Sequence, residues 1–353
     1  MSSPNVPVAA GAVTRPVPWP WPDRLLLLAL AAASALVWAF GVTEWQPLSE
    51  PTGPDAYGVN NTYWARELRW GALIGLVVVL VVAVRGSRRP TCAVLVAGCG
   101  WLAADIALDR IDPASGVAPT AVAAALLCGV AALALPASAA LLGAPAPRQA
   151  PVLPAVPGRA AVFTAALVAA VAAGLVTPTE SPTDVEPELN LGSALAGSLL
   201  ALIAVVAGVH AAGSISRRRA LLAVPAGLVA AATPWVLRYS SPEPTSGRDV
   251  GTFAFTVLLV VVVVALAGHG PRLSNYGQDA GVVAAITALA QVGMLLPLLL
   301  FSAVLPLGDL FTGLAGNPPV QDADTDLLGV ILAVPMGLVL NLLLRGFIRG
   351  RPE

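Results

Sequence analysis

The chain reads as an all-α, polytopic integral membrane protein, and three observations carry that reading. Of its 353 residues 57% are hydrophobic and only 11% charged, whereas a soluble domain carries about a quarter charged residues. Mean hydropathy is +0.81. Several apolar runs reach about 18 residues or more, and roughly 20 helical residues cross a hydrocarbon core of about 30 Å. The runs are continuous rather than alternating, so they are helices and not the strands of a membrane barrel.

Ten spans follow from the apolar runs between charged or Pro/Gly-rich breaks: 24–42, 68–85, 90–108, 118–142, 159–177, 192–213, 219–237, 250–268, 280–305 and 327–345. The first opens on Arg24 after PVPWPWPD (Pro16–Asp23), a polyproline II lead-in with Trp19 and Trp21 placed to anchor at headgroups. Its apolar stretch is long and no A-x-A site precedes the Trp/Glu loop, so it reads as an anchor rather than a signal peptide. Before the second span, NNTYWARELRW (Asn60–Trp70) reads as a short interfacial helix, with Tyr63, Trp64 and Trp70 at headgroup level and Arg66, Glu67 and Arg69 facing water or the next helix. The third span leaves the bilayer through DIALDRID, and the later ones end at Pro-rich or Arg-bearing loops such as TPTESPTDVEPEL (Thr177–Leu189) and GNPPVQDADTD (Gly316–Asp326).

Orientation follows from the arginines. All 19 basic residues are Arg, and with so much Ala, Val, Gly and Pro that choice reads as a GC-rich bacterial genome. With the N-terminus inside, 14 of the 19 arginines fall in cytoplasmic segments; Arg66, Arg69, Arg110, Arg238 and Arg248 remain outside. The positive-inside rule then predicts a bacterial cell membrane protein with both termini cytoplasmic. The acidic residues split the other way, three inside, Asp105 within a span and sixteen outside.

A repeat is expected. SRRPTCAVLVAGCGWLAADIALDR (Ser87–Arg110) matches SRRRALLAVPAGLVAAATPWVLR (Ser216–Arg238), with Gly98 on Gly227 and Arg110 meeting Arg238 after a one-residue gap. RLLLLALAAASALVWAFGVTE resembles RAAVFTAALVAAVAAGLVTPTE, both leaving through Val-Thr. Spans 1–4 and 5–8 are then parallel duplicates, because an even number of spans preserves orientation. The organisation predicted is an N-terminal Pro-rich segment (1–23), a first four-span unit (24–146), a second (159–271), a terminal two-span hairpin (280–346) and a cytoplasmic tail (347–353).

Chemistry concentrates at the end of the third span. Asp105, Asp109 and Asp112 follow helical spacing and share a face. A charge at a helix centre in hydrocarbon costs at least about 2.5–3.5 kcal/mol, so Asp105, within the span, needs a partner: Arg66, Arg69 or Arg238. The candidate cluster is Asp105, Asp109, Arg110, Arg66, Arg69 and Arg238, read either as an ion-pair collar or as a group handling a cation, a proton or a polar substrate. Gln291, six residues before Pro297, is the candidate intramembrane polar group; a helix broken beside an amide can line a path. Asn341 and His210 sit near span ends and His269 in a loop, which makes no metal site. Pro136, Pro225, Pro234 and Pro335 fall within spans, and proline is ordinary in membrane helices. Cys92, Cys99 and Cys128 form no C-x-x-C and no disulfide framework.

No phosphate-binding loop, nucleophile elbow, zinc-binding pair or dinucleotide fingerprint occurs, so no cofactor or metal is expected. The clusters RGSRR and SRRR suit topology and anionic lipid, not nucleic acid. Three function classes remain: a permease, an accessory or structural subunit with protein partners, and a transferase working on a lipid-linked substrate. For the last, Glu44, Glu50 or Asp55 in the first long loop would be the carboxylate candidates.

Overall fold

The computed structural model describes residues 21–50, 63–140, 156–180, 186–213, 217–240, 246–268, 276–304, 307–317 and 325–349. Asp55, the lead-in before Trp21 and the loop segments 181–185 and 318–324 lie outside them. Everything regular in the described residues is helix. In chain order these are α1 (Trp21–Phe40), a π-helical turn (Gly41–Trp45), α2 (Gln46–Ser49), α3 (Ala65–Ala83), α4 (Arg88–Asp109), α5 (Val117–Ala140), α6 (Val156–Val176), α7 (Glu186–Ala211), α8 (Arg217–Ser240), α9 (Ser246–Ala267), α10 (Tyr276–Val304), α11 (Leu307–Ala315) and α12 (Thr325–Arg349).

Nine of them, among the described residues, are long and apolar enough to cross a membrane, which makes the chain a multi-pass helical membrane protein. α3, at 19 residues, carries Arg66, Glu67 and Arg69 in its first turns and is otherwise as apolar as the rest. Each span expected from the sequence lands on a helix. Three elements were not expected: the π turn and α2, which carry the first helix on to Ser49, and the nine-residue α11.

The centre of the bundle is α3, α6 and α7. α6 packs on α7, α12, α3 and α9, and α3 packs on α1, α6, α7, α4 and α12. α6 is rich in Ala, and close approach to it follows. A Cβ on Gly337 of α12 would come within 2.8 Å of the Val168 backbone nitrogen on α6, so glycine lets those two helices touch. The peripheral helices α4, α5, α8 and α10 turn Leu and Val outward: Leu95, Leu126, Leu228 and Leu289 are all exposed, an apolar surface suited to a lipid bilayer.

Helix ends are closed from neighbouring helices. Arg159, at the start of α6, donates to the carbonyl of Ala212 just past α7 at 2.6 Å, and Arg219, at the start of α8, donates to the carbonyl of Gly268 just past α9. Cations at helix C-termini satisfy carbonyls that have no partner within the helix.

One expectation is corrected. The described part of Asn60–Trp70, from Tyr63 on, is not a separate interfacial helix. From Ala65 the segment is the first two turns of α3, and Tyr63, Trp64 and Trp70 are buried in protein rather than set at a surface. The reason is electrostatic: Arg66 and Arg69 have carboxylates to meet on α4, and reaching them draws the turn inward.

Candidate functional site

The site forms where α1 ends, α3 begins and α4 ends. Spacing on α4 puts Asp105 and Asp109 one turn apart on the same face, and spacing on α3 does the same for Arg66 and Arg69. The two faces meet. Arg66 Nε donates to Asp109 Oδ2 at 2.6 Å. Arg69 straddles both carboxylates: its Nη1 and Nη2 each donate to Asp109 Oδ1 at 3.1 Å, Nη2 also reaches Asp105 Oδ2 at 3.3 Å, and Nε lies 3.1 Å from Asp105 Oδ1. All four residues are at most 2% exposed, so water screens none of these pairs.

Two tryptophans complete the coordination of Asp105. Trp38 Nε1 on α1 donates to Oδ1 at 2.7 Å, and Trp70 Nε1 on α3 donates to Oδ2 at 2.9 Å. Trp101, one turn before Asp105, meets the Trp38 ring edge-on at 5.2 Å. All four carboxylate oxygens of Asp105 and Asp109 therefore accept a hydrogen bond. That is the condition for burying charge without a large penalty.

Further groups extend the network. Gln46, in the helical extension after the π turn, accepts from Arg69 Nη1 through Oε1 at 2.5 Å and donates from Nε2 to Glu50 at 2.9 Å. Tyr63 lies under the Arg66 guanidinium, 4.4 Å from ring centre to Cζ, a cation–π geometry. From the far end of the sequence, α11 supplies Thr312, whose hydroxyl accepts from Arg66 Nη1 at 3.3 Å, and Phe311, edge-on to Trp70 at 5.0 Å. The π turn widens the helix at this level, and π turns recur where side chains must be re-aimed. Beside it, Glu44 accepts from the Gly116 backbone N–H at 2.7 Å and from Thr120 at 3.3 Å, capping the start of α5.

Of the six residues nominated from sequence, Arg66, Arg69, Asp105 and Asp109 come together. Arg110 does not join them; it is exposed. Arg238 is buried elsewhere: its Nε donates to Asn190 Oδ1 on α7 at 2.7 Å, and its Nη1 to the carbonyls of Thr179 at 2.7 Å and Thr177 at 3.2 Å. Gln291 is half-buried on α10, with Oε1 making no hydrogen bond. Of the carboxylates nominated for a transferase, Glu44 is committed to the α5 cap and Glu50 to Gln46. No group of three or more His, Cys, Asp or Glu among the described residues is placed to hold a metal, and the three cysteines are free thiols.

Sequence reasoning missed Trp38, Gln46 and Thr312 altogether. Trp38 and Gln46 flank the π turn, and a Trp and a Gln at a span end carry no signal that separates a carboxylate donor from a headgroup anchor. Compared with protein families, with curated proteins and with solved structures, the chain matches none.

Proposed function

We propose that the protein is a permease-like bundle whose ion-pair quartet locks one end shut. The carrying observation is the makeup of the quartet. Four buried charges, at most 2% exposed, join the consecutive helices α3 and α4, and α11, from far along the chain, is laid over them through Thr312 and Phe311. Charges so placed cost more to bury than apolar side chains of the same size would. A purely static seam has no need of them; a seam that parts and re-forms uses their directional bonds to close in one register. Two further features support the reading: α1 is interrupted at this level by the π turn, and α10 contains Pro297 beside the half-buried Gln291. By the distribution of arginines, the locked end is the outer one.

Solute flux into proteoliposomes carrying the purified protein tests this. The expected result is uptake of at least one small solute that changes several-fold in Asp109→Asn, where the lock has lost a charge. A protein that passes no solute in either form, and that purifies from its native membrane in fixed stoichiometry with another chain, would instead be an accessory subunit. That second reading has its own observation, since every oxygen of Asp105 and Asp109 is occupied and the quartet serves equally as a rigid brace.

A further inference from the structure

We infer that the Arg238 site is a second copy of the quartet site, carried by a duplicated four-helix unit, with the donor and acceptor helices exchanged.

Helix order is alike in the two units. In the first unit α1 adjoins α3, α3 adjoins α4, α4 adjoins α5 and α5 returns to α1. In the second, α6 adjoins α7, α7 adjoins α8, α8 adjoins α9 and α9 returns to α6. Both units close into a ring in chain order, and the second adds a contact between α7 and α9. Registration is the second point. In the sequence Ser87 and Ser216, and likewise Gly98 and Gly227, differ by 129, and α4 and α8 run unbroken from those glycines to Asp109 and Arg238. The third helices of the two units therefore align with no gap, and Arg238 falls on Asp109 rather than on Arg110. On the second helices an offset of 121 superposes E-L-R-W-G (Glu67–Gly71) on E-L-N-L-G (Glu188–Gly192). Leu68 and Leu189 are both fully buried. A Cβ on Gly71 would lie 2.8 Å from Val176, and one on Gly192 would lie 2.7 Å from Leu68, so both glycines sit at tight helix contacts. Just past the first helices, Thr43 and Thr177 each bond back to the carbonyl four residues earlier, at 2.9 and 2.7 Å.

The same registration pairs Arg69 with Asn190. In the first unit Arg69, on the second helix, donates to Asp109 on the third at 3.1 Å. In the second unit Arg238, on the third helix, donates to Asn190 on the second at 2.7 Å. The place is the same and the polarity is reversed. Because the units run parallel, both clamps lie at the same end of the bundle. The first joins two arginines to two carboxylates, and in the second the guanidinium of Arg238 meets, among its partners, an amide and two carbonyls.

The inference extends the permease reading only in saying that two seams close one face; its test reads structure and stability, so its failure leaves the flux result standing. Spin labels on exposed positions of the third and fourth helices, Leu95 with Ala121 and Val224 with Val250, report each unit in the folded protein once Cys92, Cys99 and Cys128 are replaced by Ala. Overlapping distance distributions are expected; distributions that do not overlap overturn the duplication. The exchange of polarity is read by melting in detergent. Asn190→Arg and Arg238→Asn should each lower Tm, and the two together, which give the second unit the polarity of the first, should recover more than half of the larger loss. If the double variant melts no higher than the worse single one, Arg238 is a cap for the carbonyls of Thr177 and Thr179 alone, and the equivalence fails.

Discussion

Gly41 lies directly against Arg69: a Cβ at position 41 would overlap Arg69 Cγ. The Arg69 side chain has no freedom to retreat, because its guanidinium is tied to Asp105, Asp109 and Gln46. Gly41 is also the first residue of the π turn. The missing side chain and the widened turn together make the channel through which Arg69 reaches α4.

Gly41→Ala should therefore destabilise the protein by about 1–3 kcal/mol, the usual cost of overpacking. The effect is specific to the arginine. In an Arg69→Ala background the same alanine should cost almost nothing, and thermal melts of the four proteins in detergent measure the coupling. Equal losses in both backgrounds would mean that the glycine serves the π turn and not the passage of Arg69.

Asp105→Asn should cost about 3–5 kcal/mol, the range for breaking a buried ion pair. An amide offers one oxygen where the carboxylate offers two, so either Trp38 or Trp70 loses its acceptor and meets an NH2 group instead. Arg69→Gln should cost a similar amount. The double variant should lose clearly less than the sum, because the two residues share one interaction. Strict additivity would show that Asp105 is held by its tryptophans, with the arginine a bystander.

The long apolar helices were legible because hydrocarbon leaves a backbone few options, and a crossing announces itself as a long apolar run. α11 made no such announcement: nine residues are too few to cross, and its role depends on contacts made by Phe311 and Thr312 with residues far back in the chain. The α4 half of the site was legible in the spacing of Asp105 and Asp109, and its arginines stood among a few nearby options. What spacing could not supply was the choice among them. Arg238 is as available in sequence as Arg69, yet it lies in another ring of helices, bonded to Asn190. The tryptophans misled for a related reason, since an indole near a span end suits a headgroup as well as a buried carboxylate.

Glu50 gives a pH signature. It sits half-buried just past α2, and burial pushes its carboxyl above the ordinary value of 4.5, with Asp112 and Asp109 pushing the same way while the Gln46 hydrogen bond and Arg66 oppose them. The folded state thus holds a proton that the unfolded state releases. The stability this provides is fully present below the unfolded value and is lost as pH rises through the folded one. Glu50→Gln keeps an oxygen for Gln46 and removes the charge. Relative to wild type its Tm should rise as pH is raised from 4 to 7, and a Tm difference that stays flat across that range would show that Glu50 is well solvated.

The orientation of the bundle can be settled by reporter fusions. The starts of α4, α6 and α8 and the end of α12 carry Arg88, Arg89, Arg159, Arg217, Arg218, Arg219, Arg345 and Arg349, while the opposite ends hold most of the acidic residues. Arginines near helix ends hold a segment on the cytoplasmic side during insertion. Two of them, Arg159 and Arg219, also close the carbonyl ends of α7 and α9, so moving them outward would break folded contacts as well. Fusions after Arg89, Arg219 and Arg349 should read cytoplasmic, and fusions near Glu186 and Asp322 external. That result places the quartet and the Arg238 clamp together at the outer face. A cytoplasmic signal from Glu186 would remove one crossing from the first half of the chain, turn the second unit over relative to the first, and set the two clamps on opposite faces.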